Sequence, residues 1–382
     1  MMFYDANRRG SRIAARILIA LLIVAGGIGI AGRGQISSGE LADIRTVIES
    51  AKSTRATAAA SMDFAQGTMH ANDFQSAITS IRRAVADYDQ LAASASLTRF
   101  TSDSPFAQFV FTPRTTLLGT VDRLNNAANT MQTQTAALID AMETSFANDF
   151  RTDGGHWTVQ VDAPAAINEL VSRYGKQRSY QTLQEHLDDL KSLYNLEQRV
   201  CQQVADSIAA VHAGETNAAQ IAVPTEAGAM DAAGWLGTAQ SVASTLGVQV
   251  KQTSVYGCPG ADDNGDDNAD MVIGFFCGGS QASRNEVNML TTHPEWPAVE
   301  RSPLLVDYTK HELAHRSIMI VCGTTEPEIA ANRTEAVTNS YAVQFLGASR
   351  ERIAGSQQGL AAYAMDAQSD QIAQSIHNGT CA

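Results

Sequence analysis

Ser302-Pro303-Leu304-Leu305-Val306-Asp307-Tyr308-Thr309-Lys310-His311-Glu312-Leu313-Ala314-His315-Arg316-Ser317-Ile318-Met319-Ile320-Val321-Cys322-Gly323 decides how the C-terminal part of this 382-residue chain folds. Ser302 followed by Pro303 is a helix start, an N-cap and then proline at the first helical position. Leu304, Leu305, Tyr308, Ile318 and Met319 supply an apolar face before Gly323 stops the helix. Inside it stand His311, Glu312 and His315. Residues four apart on a helix point the same way, so both imidazoles can reach one ion, while Glu312 sits one step round, within reach of water at that ion. Two neutral imidazoles with a hard carboxylate suit Zn²⁺ in a site that keeps one position open.

Such a pair needs a third ligand. Twenty residues beyond His315 comes Glu335, within Asn332-Arg333-Thr334-Glu335-Ala336-Val337-Thr338-Asn339-Ser340-Tyr341. This stretch also reads as a helix, from about Pro327 to Leu346, closed by Gly347. Ala342 and Leu346 share the face of Glu335 and Asn339, so a small and an apolar residue let this helix pack close against the first.

An H-E-x-x-H helix followed about twenty residues later by a Glu-x-x-x-Asp type helix resembles the gluzincin metallopeptidases, the thermolysin-like arrangement. The likeness covers residues 302–347 and no more of the chain. It implies that His311, His315 and Glu335 are zinc ligands and that Glu312 is the general base of metal-assisted hydrolysis of a peptide or protein substrate. Asn339 stands where the family places an acid that hydrogen-bonds the first ligand histidine. Its side-chain oxygen can accept the imidazole N–H, but without a formal charge it polarises the ligand less. The family's Tyr and His donors to the developing oxyanion cannot be aligned here; Tyr308, Tyr341 and His293 are candidates by nearness in sequence. The family also pairs its substrate with a sheet edge, a part the strand at Met271 to Phe276 would fill.

Composition changes near Pro224, and residues 225–382 read as a small α+β, zincin-like domain. Leu246 to Tyr256 and Met271 to Phe276 read as adjacent strands. Between them Asp262-Asp263-Asn264-Gly265-Asp266-Asp267-Asn268-Ala269-Asp270 lacks the glycine and glutamate of an EF-hand register and reads as a solvated acidic turn. Four of the five cysteines belong to this part. Cys258 with Cys277 and Cys322 with Cys381 is the most economical of three pairings, leaving Cys201 as a thiol.

Residues 36–215 read as helical. Ile78, Ile81, Val85, Tyr88 and Ala92 step by three and four, as do Leu117, Val121, Leu124, Ala128, Met131, Thr135, Leu138 and Met142. A third run is Leu183, Leu187, Leu190, Tyr194, Glu197, Cys201, Val204, Ile208 and Val211. Breaks at Ser104-Pro105 to Pro113 and at Asp153-Gly154-Gly155 with Ala163-Pro164 let the runs fold back as an antiparallel bundle. The alternative is a parallel coiled-coil homodimer, which Cys201 could cross-link. The histidines here, His70, His156, His186 and His212, are scattered without ligand spacing and read as surface or core residues.

The first 33 residues carry five arginines and one acid. The remainder has 22 basic against 39 acidic residues, a net charge of −17 that repels phosphate backbones and argues against nucleic acid as a partner. Residues 1–16 read as a basic cytoplasmic segment and Ile17 to Gly32 as a transmembrane anchor or a signal peptide, with the rest exported. The expected protein is thus mostly α: an N-terminal transmembrane or signal helix, a helical bundle or coiled-coil stalk, and a zincin-like C-terminal domain. It is single-pass in the cell membrane with that domain outside, or secreted. The competing function is a non-catalytic, surface-anchored interaction or stalk protein that keeps a zincin scaffold.

Overall fold

The computed structural model describes residues 38–94, 114–176, 179–223, 234–258 and 272–382. The expected anchor at residues 17–32, the break at residues 104–113 and the acidic turn lie outside them. No helix among the described residues is long and apolar enough to cross a membrane. The chain is mostly helical with a small mixed three-stranded sheet, and it divides into two compact units.

The first unit comprises residues up to 149 and 173–195. It is built from α1 (Ser38–Gln66), α2 (Gln75–Ser94), the leading part of α3 (Arg114–Gln160) and the start of α5 (Leu183–Gln220). The heptad positions are its core. Ile44, Ile48 and Ala51 of α1 meet Tyr88 of α2 and Leu124 and Met131 of α3. Further along, Ala58, Ile78, Ile81, Leu138, Met142, Leu187 and Leu190 form a second cluster. Each large side chain removed from water in this way contributes about 1.5–3 kcal/mol before entropy is subtracted, so small seam residues are offset by the number of layers. The heptad positions in these two clusters are thus covered by helices of the same chain.

The second unit comprises residues 150–172 and 196–382. The expected break at Gly154-Gly155 is helical, because α3 continues to Gln160 and ends only before α4 (Pro164–Gly175). Burial overrides glycine's poor helix propensity here: Trp157 is buried, the Phe150 ring packs edge-on to it at 5.8 Å, and a Cβ on Gly154 would come within 2.8 Å of that ring.

After α6 (Gly234–Thr245), strands β1 (Gln249–Thr253), β2 (Gly274–Phe276) and β3 (Glu286–Leu290) lie in the order β1-β3-β2. β3 is parallel to β1, with Val250 opposite Val287, and antiparallel to β2, with Phe275 opposite Asn288. The two expected strands are thus not adjacent. Glu286–Leu290, one residue after the short α7 (Gln281–Arg284), is an additional strand and takes the central place.

After the one-turn helix α8 (Trp296–Val299) comes α9 (Leu304–Cys322), the H-E-x-x-H helix, buried on nearly every side. The helix starts one residue later than the sequence suggests, with Pro303 rather than Ser302 at the N-cap, though Ser302 Oγ still accepts from Leu304 N–H. Gly323 ends it with φ 73°, where a Cβ would also fall 2.3 Å from His156 Cβ. Charges on a core helix call for partners, and two of those on α9 have them. Asp307 accepts a bidentate pair from Arg352, and Lys310 Nζ donates to Gly347 O at 2.9 Å.

The helix expected over 327–346 is split. A 3₁₀ turn at Glu328–Ala330 is followed by Asn332 with φ 55°, and the regular helix, α10 (Thr334–Phe345), begins after it. Gly347 closes it as expected, with φ 69°. Next come α11 (Arg350–Ser356), a 3₁₀ turn at Ala361–Tyr363 and α12 (Ala367–His377). Both disulfides pair as the sequence predicts, Cys258 with Cys277 and Cys322 with Cys381, and Cys201 stays outside them.

Candidate metal centre

α9 and α10 pack along their length, and the contact brings three expected ligands to one point. His311 Nε2 lies 3.1 Å and His315 Nε2 3.4 Å from Glu335 Oε2. Tetrahedral coordination with bonds near 2.0–2.1 Å puts neighbouring ligand atoms about 3.3 Å apart, so both of these distances match an edge of such a polyhedron.

Both imidazoles are held in one tautomer by their other nitrogen. His311 Nδ1 lies 2.7 Å from Asn339 Oδ1, and the Asn339 amide nitrogen donates to Gln357 Oε1 at 2.7 Å and to Tyr363 O at 3.0 Å. With its N–H groups committed, Asn339 turns its oxygen to His311, which must donate from Nδ1. His315 Nδ1 lies 3.4 Å from Thr338 Oγ1, whose proton goes to Thr334 O at 2.8 Å, so His315 too carries its hydrogen on Nδ1. Both Nε2 lone pairs are left facing Glu335. Carboxylate oxygen Oε2 of Glu335 is buried and off the hydrogen-bonding line of any donor. An orphaned carboxylate oxygen between two imidazole lone pairs fits a divalent cation, and this donor set suits Zn²⁺.

The electrostatics agree. Burial works against an imidazolium at His311, yet the adjoining Glu335 carboxylate and the charge of Glu312 outweigh it and raise its pKa to about 9. Burial likewise pushes Glu335 up, but the two imidazoles hold it well below the usual carboxylate range.

Glu312 is buried. Burial pushes its carboxyl up, opposed by His311 and His315 and by a hydrogen bond from the Phe276 backbone N–H of β2. Gly274 of the same strand lies against it: a Cβ there would stand 3.3 Å from Glu312 Oε1. The short strand therefore packs on the carboxylate beside the ligand triad, and only a glycine leaves that face open.

Asn339 gains a meaning the sequence did not carry. An aspartate there would set a second oxygen against Tyr363 O, whereas the amide donates to it and so joins the ligand histidine to the 3₁₀ turn at Ala361–Tyr363. Asn339→Asp is expected to cost about 1–3 kcal/mol of stability, the usual penalty of a buried acceptor left without a donor. Thermal unfolding of that variant measures it, and a variant of unchanged stability would contradict this assignment.

The oxyanion donors expected from sequence make other contacts. Tyr341 Oη donates to Glu215 Oε1 at 2.9 Å, and His293 Nδ1 accepts from Glu295 N–H in its own loop. Tyr308 is buried, with Ser356, Glu295 and Asp307 acting on its hydroxyl rather than the ligand triad. The residue the sequence did not disclose is Tyr363. Its ring centre stands 6.1 Å from that of His311, and its hydroxyl is pushed up by burial and by the charges of Glu335 and Glu312. Nothing in its local sequence marks it, since the 3₁₀ turn that delivers it is anchored by a hydrogen bond from Asn339.

No family model, curated protein or solved structure matches this chain.

Proposed function

We propose that the chain is an exported, membrane-anchored, zinc-dependent peptide hydrolase of the gluzincin type. The observation that carries this reading is the convergence of His311, His315 and Glu335 on one point with the desolvated carboxylate of Glu312 beside it. A structural zinc site would gain nothing from that fourth group.

His311, His315 and Glu335 would hold the ion. When bound, Zn²⁺ supplies Lewis acidity that favours negative charge on a carbonyl oxygen and acidifies water. The chain's own residues do the rest. Glu312, its carboxyl raised by burial, takes a proton from the attacking water and delivers it to the departing amine nitrogen. Asn339 and Thr338 keep both ligand imidazoles in the Nδ1–H form. Tyr363, its proton held on by the neighbouring carboxylates, donates to the oxyanion.

Two disulfides among the described residues support a compartment that is oxidising. Together with the arginine-flanked apolar segment 17–32 they support a cell-membrane protein with its second unit outside the cytosol.

Hydrolysis of a mixed fluorogenic peptide library by the purified full chain tests the reading. Cleavage should disappear on chelation and return with Zn²⁺; cleavage that survives complete chelation would overturn it. Tyr363→Phe should lower kcat by roughly 10²–10³-fold with little change in KM, and an unaffected kcat would remove this residue from the mechanism.

A further inference from the structure

One carboxyl of the second unit sits in the core away from the ligand triad and takes no part in that chemistry. Glu215, on α5, is 1% exposed. Three other helices meet it. Tyr341 of α10 donates from Oη to its Oε1 at 2.9 Å, and Ser317 of α9 places a hydroxyl close enough to act on its proton affinity. His377, the last residue of α12, brings Nε2 to 3.3 Å from its Oε2. His212, one turn back on α5, stacks on the His377 ring at 4.0 Å, and Phe345 stacks on the same imidazole at 3.9 Å.

No Lys or Arg among the described residues pairs with Glu215, so an ionised carboxylate here would be a buried charge without a counter-ion. Among the described residues the titratable groups facing it are His212 of its own helix, His377 of α12 and Tyr341 of α10; α9 presents the neutral Ser317. None supplies a cation. Burial and the neighbouring His212 lower His377 to about 4, burial lowers His212 as well, and Tyr341 keeps its proton. Burial raises Glu215 to about 7, against the hydroxyls of Ser317 and Tyr341, which hold it down. Its oxygen Oε2 and Ser317 Oγ are both buried and off any hydrogen-bonding line. A proton on Oε2 turns that oxygen into a donor, with Ser317 Oγ and His377 Nε2 as the acceptors beside it.

We infer that Glu215 is a positioning residue that carries a proton in the native chain and, in that form, buckles α5 and α12 to the two ligand helices, α9 through Ser317 and α10 through Tyr341. α9 bears His311 and His315, and α10 bears Glu335. Ionisation would strand a charge between four packed helices, and contacts that close on a neutral acid must then open to admit water. The folded value lies above the ordinary 4.5 of a glutamate, so the stability this group adds is complete below pH 4.5 and is lost as pH rises through about 7. The buckle is closed in mildly acidic surroundings and weakened in alkaline ones. It does not rest on the hydrolytic reading.

Thermal unfolding of the full chain as a function of pH, wild type against Glu215→Gln, tests the inference. Glutamine has the shape of the protonated acid, can accept from Tyr341 and donate to Ser317, and cannot ionise. The lowered histidines weaken both chains alike as pH falls, so they cancel in the difference. From about pH 8 to about pH 5.5 the wild-type melting temperature should rise by about 4–8 °C relative to the variant's. A difference that stays constant over that range overturns the proton buckle. An ion pair with His377 would give a slope of the same sign, and difference infrared spectroscopy separates the two. The expected result is a carboxylic-acid carbonyl band at acid pH that is present in the wild type and in His377→Gln, shifted in Ser317→Ala and missing in Glu215→Gln. A wild-type chain without such a band, or a pH slope that vanishes in His377→Gln, overturns the inference.

Discussion

Glu312→Gln is expected to lower peptide hydrolysis by roughly 10²–10⁴-fold, the span over which a positioned general base contributes, with zinc content unchanged. The geometry makes this substitution clean. Glutamine has the shape of glutamate, and its side-chain oxygen can still accept from the Phe276 backbone N–H that holds the native carboxylate. Gly274 leaves room for the amide where a larger residue would crowd it. The proposed ligands His311, His315 and Glu335 are untouched, so lost activity with retained zinc isolates the proton-transfer role. Hydrolysis at the native rate would show that Glu312 is not the base. Loss of zinc along with activity would show that it belongs to the ligand set.

The second large effect is on stability. Cys322 ends α9 and Cys381 is the penultimate residue, and their bridge closes a sequence separation of 59 residues. This loop contains α10, α11 and α12, and thus Glu335, Asn339, Tyr363 and His377. In the chain-entropy description, opening a loop of that length removes about 4 kcal/mol. A Cys322→Ala/Cys381→Ala chain should accordingly melt about 8–16 °C lower, by the usual scaling for a unit of this size. Because the segment released carries one ligand of the candidate centre, zinc should bind it more weakly as well. An unchanged melting temperature would mean that the packing of Ile376 and Ala373 holds the last helix without the bridge.

The sequence revealed the elements whose signals are local. Ser302-Pro303 and Gly323 bound α9, and the His311, Glu312, His315 spacing follows from the helical repeat alone. The step to Glu335 was legible because it lies on the next regular helix, and the cysteine pairing because only a few partners were available. Long-range burial governed what was not legible. Gly154 and Gly155 read as a break, but Phe150 and Trp157 hold them in the helix. The central strand Glu286–Leu290 is defined by its neighbours on both sides rather than by its own residues.

The same limit applies to the chemistry. Asn339 read as a weakened aspartate until its amide was seen to donate to Gln357 and Tyr363. Tyr341 looked available to the centre, yet it serves Glu215. His212 looked isolated because Glu215 beside it carries no meaning until His377, 165 positions further on, is folded against it. Pairings of that kind are products of the packed core and leave no periodic trace in the chain.

The account stands on one ion held by two helices, and its most direct test is a zinc-edge anomalous map from crystals of the zinc-loaded full chain. It predicts a peak bonded to His311 Nε2, His315 Nε2 and the Glu335 carboxylate at about 2.0–2.2 Å, with the remaining position taken by solvent beside Glu312. An absence of zinc at these three side chains, or a fourth protein ligand closing the site, would contradict it.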